Sequence, residues 1–266
     1  MIDWLHALER GHEAHLWYVL VDDALDERLL VRFHGLLNPD ELARNGRFVF
    51  ASGRREHLLT RVLVRTTLST YCPEVDPRAW QFAATPFGRP EIAAPTVVPA
   101  FRFNVSHTDG LIVCLVAVGR EIGVDVEATT RARPGDVEIA DRFFSPTEVA
   151  ALRSLPTEAR PDRFFDYWTL KEAYIKARGL GLHLPLDRFS FHLGSDGGVP
   201  APPIRIAFGP GIADDPATWQ FEKLDLTPRH RLAIAIRRAP AEPDLTVRYL
   251  PVDPLRTPPA RPPARS

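Results

Sequence analysis

Three groups of residues have types and spacings that could do chemistry. In EIGVDVE (121–127), strand alternation sets Ile122, Val124 and Val126 on one face and Gly123, Asp125 and Glu127 on the other. Two carboxylates side by side repel unless a cation lies between them, and such a pair can hold a divalent ion beside substrate phosphates. The exposed face of an antiparallel strand carries paired acids too, so the strand alone leaves both readings open. In DYWTLKEAYIKARGLG, Trp168, Glu172 and Lys176 recur at i, i+4 and i+8 and line one helical face. As a surface ion pair, Glu172 and Lys176 would contribute only about 0.2–0.5 kcal/mol. Here they share their face with a Trp in an otherwise apolar helix, which favours a functional role. In FNVSHTDG, Asn104, Ser106 and His107 end a strand that runs into a tight turn. Polar groups there can meet a ligand, or can satisfy the turn's own backbone. A Ser–His nucleophile is discounted, because strand neighbours point to opposite faces and no orienting acid is evident.

The chain has 266 residues, 33 Lys plus Arg, 34 Asp plus Glu, and a formal net charge of -1. That balance argues against a general nucleic-acid binder, which needs a basic excess. Two cysteines, Cys72 and Cys114, exclude a disulfide framework and show no metal spacing, so the cytoplasm is the expected compartment. No apolar run approaches the ~20 residues of a membrane span. The opening MIDWLHALERGHEAHLW carries acids and His instead of a basic region and an apolar run, so no signal peptide is expected. Lysine is scarce: only Lys171, Lys176 and Lys223 occur, and every other cation is Arg. Two of these three sit in the Trp168 segment, and Lys223 reads as background. Residues 28–66 hold eight Arg against three acids. That stretch suits a polyanionic ligand or an acidic partner, and equally a solvated helical face.

The elements that must position these groups follow from pattern. HLWYVLV (15–21) reads as a strand, and Asn38-Pro39-Asp40-Glu41 as a capped helix start. A 3.6-residue period from about Arg54 to Tyr71 predicts a long helix stopped by Pro73. PFGRP (86–90) is a turn. Residues 101–127 read as a three-stranded meander: 101–107, 111–118 and 121–127. Ser145-Pro146-Thr147-Glu148 starts another helix, and 162–178 form a second long one ended by Gly179. Strands are expected at 189–193, 204–208, 219–226 and 231–237. The fold class is α+β, in two halves of similar make-up: 1–130 with the meander, and 131–239 with the second long helix. The Pro-rich tail 240–266 is expected to be disordered, apart from LTVRYL (245–250).

FGRP, NVSH, GVDVE, FFSPTE and WTLKEAYIKARGLGL, in this order, resemble the Sfp-type 4′-phosphopantetheinyl transferases. The family's G-[IV]-D-[IV]-E is met by Gly123 to Glu127. Its W-x-x-K-E-[SA]-x-x-K is met by Trp168, Lys171, Glu172, Ala173 and Lys176. The resemblance implies transfer of the 4′-phosphopantetheine arm of coenzyme A to a Ser of an apo acyl or peptidyl carrier protein, releasing 3′,5′-ADP. It implies a monomeric pseudo-dimer, each half a small antiparallel sheet packed with a long helix, with coenzyme A in the cleft between them. No nucleic acid or membrane partner is expected. Asp125, Glu127 and Glu172 match the family's ligands for Mg²⁺, with Mn²⁺ as a substitute. Glu172, or a water it holds, matches the base, and Lys176 a phosphate contact. Arg44, Gly88, Arg89, Asn104, Ser106 and His107 match the coenzyme A contacts. The segment Arg55–His57 shows no clear match. Lys171 matches by pattern alone, without a physical account.

Two other classes stand beside this one. A Mg²⁺-dependent phosphodiesterase or pyrophosphatase could use the same three acids, though no His-rich two-metal cluster accompanies them. A non-catalytic coenzyme A-binding protein is the other, and the intact set of Asp125, Glu127, Glu172 and Lys176 argues against it.

Overall fold

The chain alternates helices and short strands in a computed structural model that describes residues 7–21, 27–131, 136–194, 203–239 and 242–252. In chain order the elements are β1 (Glu13–Leu20), α1 (Glu27–His34), α2 (Pro39–Gly46), α3 (Ala51–Tyr71), β2 (Gln81–Ala84), β3 (Pro90–Ala94), β4 (Phe101–Thr108), β5 (Leu111–Val118) and β6 (Ile122–Ala128). There follow α4 (Asp136–Phe143), α5 (Pro146–Arg153), α6 (Arg160–Arg178), β7 (Phe189–His192), β8 (Arg205–Phe208), β9 (Trp219–Thr227), β10 (His230–Arg237) and β11 (Thr246–Pro251). The class is α+β, and no described helix is long and apolar enough to cross a membrane.

Two compact units emerge. Of the described residues, those within 1–84, 90–119 and 246–266 make one, and those within 85–89 and 120–245 the other. They part between Gly119 and Arg120.

The first unit is built on a sheet ordered β11-β1-β5-β4. Along α3, Leu59, Leu63, Val64, Leu68 and Tyr71 bury their side chains against Phe101, Phe103, Ile112, Cys114 and Val116 of the sheet. Ahead of it, α2 begins with a complete capping box: Asn38 accepts from the Glu41 backbone N–H, and Glu41 accepts from that of Asn38. β1 pairs antiparallel with β5 but parallel with β11, so this sheet is mixed where an antiparallel one was expected. The strand expected at 245–250 is thus present as β11, while 253–266 lie outside the described residues.

The second unit carries the antiparallel sheet β6-β10-β9, with α6 packed on it, and the separate hairpin β7-β8. Its core joins Phe164, Tyr167, Leu170 and Tyr174 of α6 to Phe189, Phe191, Trp219 and Ala235. The expected meander 101–127 is corrected here. β5 has β1 on one edge and β4 on the other, so no edge is left for β6, which pairs with β10 instead. Gly123 explains how closely β6 meets the helix. A Cβ there would come within 2.5 Å of the Ala177 nitrogen and closer still to the Ala173 carbonyl. Only glycine fits that approach.

Candidate active site

β6 and α6 bring five of the sequence-singled residues together in the second unit: Asp125, Glu127, Trp168, Glu172 and Lys176. From Phe164 to Ala177, only Trp168, Glu172 and Lys176 are half-buried, and every other residue is buried. The i, i+4, i+8 face therefore exists as one accessible stripe on an otherwise enclosed helix. Asp125 faces it from β6 and is only 5% exposed. The Lys176 ammonium meets Asp125 Oδ1 at 2.6 Å and also donates to the Val124 carbonyl at 3.2 Å. Trp168 adds a hydrogen bond to Glu127.

One ammonium does not balance this group of acids. Burial, then the charge of Asp125, pushes the Glu127 carboxyl up to about 7, against the pull of Lys176 and Trp168. Glu172 is raised for the same two reasons, burial first and Asp125 second. Among the described residues, no three His, Cys, Asp or Glu are gathered as a preformed metal cage. The donor set nevertheless fits a hard divalent cation. It consists of carboxylate oxygens, two of them on groups held short of positive charge. Asp125, Glu127 and Glu172 are the residues that would hold it.

Of the turn expected at 86–90, residues 86–89 belong to this unit. Gly88 has φ 87°, and the Arg89 N–H donates to Thr85 Oγ1 at 3.1 Å. Arg89 Nη1 donates to the Ala177 carbonyl at 2.9 Å, at the C-terminal end of α6. Gly179 closes that end with φ 63°, and a Cβ on it would stand 2.7 Å from the Arg89 guanidinium carbon. The structure thus seats Arg89 on the α6 terminus, where cationic groups are favoured.

The remaining expected contacts lie in the first unit. Arg44 is exposed on α2 and lines a cavity of about 580 Å³ with Asp40, Ala43, Arg47 and Phe48. Asn104 and Ser106 are buried on β4, whereas the His107 side chain is 47% exposed. His107 Nδ1 stands 3.0 Å from Glu56 Oε1, so an acid does accompany this imidazole. No nucleophile follows, because Ser106 and His107 alternate between a buried and an exposed side of the strand. The segment that matched nothing is thereby populated. Glu56 pairs with His107, and His57 Nδ1 lies 3.1 Å from Asn45 Nδ2. Burial, followed by the charges of Arg44 and Arg61, holds the His57 imidazole below its usual range.

Lysine scarcity has a wider basis than the two motif positions. Lys171 is 1% exposed and meets Glu148 Oε2 at 2.7 Å. Lys223, expected to be background, sits 2.9 Å from Asp166 Oδ2, and that carboxylate is itself buried and shared with Arg231. All three lysines pair with buried carboxylates of this unit. Sequence pattern missed Glu148 as a partner because it reads first as the N3 residue of the α5 capping box, which it also is.

Two family profiles match most of the chain. The profile described as the 4′-phosphopantetheinyl transferase superfamily matches residues 121–237. One described as 4′-phosphopantetheinyl transferase, N-terminal, matches 26–119. The two matches meet where the compact units part. The 4′-phosphopantetheinyl transferase HetI of Nostoc sp. is 40% identical over 172 residues, 64% of this chain and 70% of the relative. The 4′-phosphopantetheinyl transferase Sfp of Bacillus subtilis is 33% identical over 184 residues, 69% of this chain and 79% of the relative. An L-aminoadipate-semialdehyde dehydrogenase-phosphopantetheinyl transferase of Xenopus laevis is 28% identical over 214 residues, 75% of this chain and 68% of the relative. The chain therefore belongs to the 4′-phosphopantetheinyl transferase superfamily, as an enzyme of the Sfp type.

Proposed function

We propose that the enzyme moves the 4′-phosphopantetheine arm of coenzyme A to a serine of an apo acyl or peptidyl carrier protein. The observation that supports it most is the under-balanced acid group of Asp125, Glu127 and Glu172 against Lys176. The acceptor hydroxyl attacks the β-phosphorus of coenzyme A. A new P–O bond forms to serine, the P–O bond to the leaving 3′,5′-ADP breaks, and the serine proton passes to Glu172 or to a water it holds. A carboxyl raised by burial is suited to accept that proton near neutral pH. Lys176 faces the phosphate oxygens and offsets the charge that grows on them. Bound at Asp125, Glu127 and Glu172, Mg²⁺ (or Mn²⁺) would neutralise and orient the pyrophosphate.

Arg44, Gly88, Arg89, Asn104, Ser106 and His107 would hold the nucleotide end of coenzyme A. Gly88 would let the turn pass close, and the others would supply charge or hydrogen bonds. The long helices α3 and α6, each on its own sheet, support reading the chain as a pseudo-dimer of two related halves. The reading takes the enzyme as a cytoplasmic monomer that acts on neither nucleic acid nor membrane.

Intact mass spectrometry tests this. With coenzyme A and Mg²⁺, an apo carrier should gain the mass of the arm. No gain across a panel of acyl and peptidyl carriers would sink the reading, and release of 3′,5′-ADP without a carrier would turn it toward a hydrolase.

A further inference from the structure

Lys171 neighbours Glu172 on α6 but faces into the protein. Its ammonium has three donors, and three acceptors meet them: Glu148 Oε2 at 2.7 Å, the Leu186 carbonyl at 2.8 Å and the Phe189 carbonyl at 2.7 Å. It also lies 4.3 Å from the centroid of the Phe189 ring. Glu148 is just as enclosed, at 1% exposed. Its Oε2 accepts from the N–H and the hydroxyl of Ser145, both at 2.9 Å, and its Oε1 accepts from the Phe191 N–H at 2.8 Å. One buried pair therefore ties α6 to the start of α5, to the Leu186 carbonyl and to β7. Neither partner is exposed enough to reach a substrate.

The geometry limits what can stand there. An ammonium is compact and has three donors for three acceptors already in place. A guanidinium is wider and planar, and would bring five donors to the same space. An Arg-rich chain that keeps Lys at this position is explained by that fit. Adjacent helical residues are about 100° apart around the axis, so the roll of α6 that buries Lys171 also sets where Glu172 points. About 100° round the helix from Lys171, Glu172 faces Asp125 of β6, with Lys176 one turn further on.

We infer that Lys171 is a positioning residue for the transfer reaction: its buried pair with Glu148 fixes the roll of α6 and thereby holds Glu172 against the carboxylates of β6. The inference rests on the transferase reading of Glu172.

The test uses the full-length enzyme with coenzyme A, Mg²⁺ and an apo carrier, comparing wild type, Lys171→Met, and the double variant Glu148→Gln with Lys171→Met. The single variant leaves a buried carboxylate without its cation and is expected to lose stability, to the point of failing to fold. The double variant removes both charges and is expected to melt close to wild type. Its kcat should nevertheless fall by about ten-fold or more, with KM for coenzyme A within about three-fold, because the lost interaction matters in the transition state and not in ground-state binding. A merely structural pair would give the double variant wild-type kcat together with wild-type melting, and that result overturns the inference. So does an equal loss in kcat/KM carried by KM alone. A wild-type enzyme that modifies no carrier in the panel fails the transferase reading instead, and the two failures are thus told apart.

Discussion

Both units lay a long helix on a sheet and bury carboxylates beneath it, yet they treat those carboxylates in opposite ways. In the first unit, Glu41 meets Arg61 at 2.6 Å and Arg65 at 2.8 Å, and Arg65 also donates to the carbonyls of Pro77 and Trp80. Burial works to raise the Glu41 carboxyl, but the two guanidiniums and the Asn38 backbone N–H outweigh it and hold it below its usual range. In the second unit, three acids share one ammonium, and Glu127 and Glu172 are raised. A buried charge with its full complement of partners acts as a fastening. One left short of positive charge is ready for a cation or a proton. The second unit also supplies its own control, since Lys171 and Asp166 of the same helix α6 are paired, the first with Glu148 of α5 and the second with Lys223 of β9 and Arg231 of β10.

The sharpest break of this contrast is expected at Asp125. Replacing it by Ala removes the acid that, after burial, raises both neighbours, and takes one carboxylate from Lys176. Transfer to a carrier should drop by at least about 10²–10³-fold, the scale on which a charge-stabilising group acts in a transition state, while circular dichroism stays that of wild type. Full activity in this variant would remove the acid group from the mechanism. The matching change in the first unit should do the reverse. Arg65→Met leaves Glu41 with Arg61 as its one guanidinium and takes the Arg65 donor from the carbonyls of Pro77 and Trp80, at an expected cost of about 3–5 kcal/mol in chemical denaturation. Transfer per folded molecule should be unchanged. A variant that unfolds like wild type would show that Glu41 is not relying on Arg65.

The same contrast predicts opposite pH slopes. Glu127 has a folded pKa of about 7, above its ordinary 4.5, so the folded state binds its proton more tightly. Its contribution to stability is fully present below 4.5 and is lost as pH rises through 7. Glu41 is shifted downward, so its contribution is present above 4.5 and is lost as pH falls. Denaturation midpoints measured from pH 5 to 8 without divalent cation should therefore decline more steeply for wild type than for Glu127→Gln. Parallel curves would mean that Glu127 titrates as an ordinary exposed acid.

Local pattern carried much of this into view, and tertiary pairing did not. The α3 and α6 helices, the capping boxes at Asn38 and Ser145, and the β9 and β10 strands are written in periodicity, caps and turn residues that act over a few positions. The grouping of Asp125 and Glu127, and that of Trp168, Glu172 and Lys176, is likewise a matter of strand and helix period. What stayed hidden depends on which distant segments meet. β6 looked like the third strand of a meander because nothing local says that β5 already has two neighbours. Glu148 reads as part of a helix start, and Glu56 lies in a segment with no clear match; their partners Lys171 and His107 come from elsewhere in the chain. Lysine scarcity was the one compositional trace of those buried pairs, and it pointed to three positions where sequence pattern explained one.

Lys223 gives the smallest expected effect and the finest test of that last point. Its carboxylate, Asp166, is buried, but it also receives Arg231 and lies 3.4 Å from Arg163 Nε. The Lys223 side chain is 23% exposed, against 1% for Lys171. An Arg at 223 has solvent on one side in which to place its wider head, and Asp166 keeps two guanidiniums whatever that head does. Lys223→Arg should therefore change unfolding free energy by no more than about 0.5 kcal/mol, the range of a surface substitution. Lys171→Arg should destabilise by about 1–3 kcal/mol, through overpacking of an enclosed site. Equal costs at the two positions would mean that scarcity, and not enclosure, is all the lysines have in common.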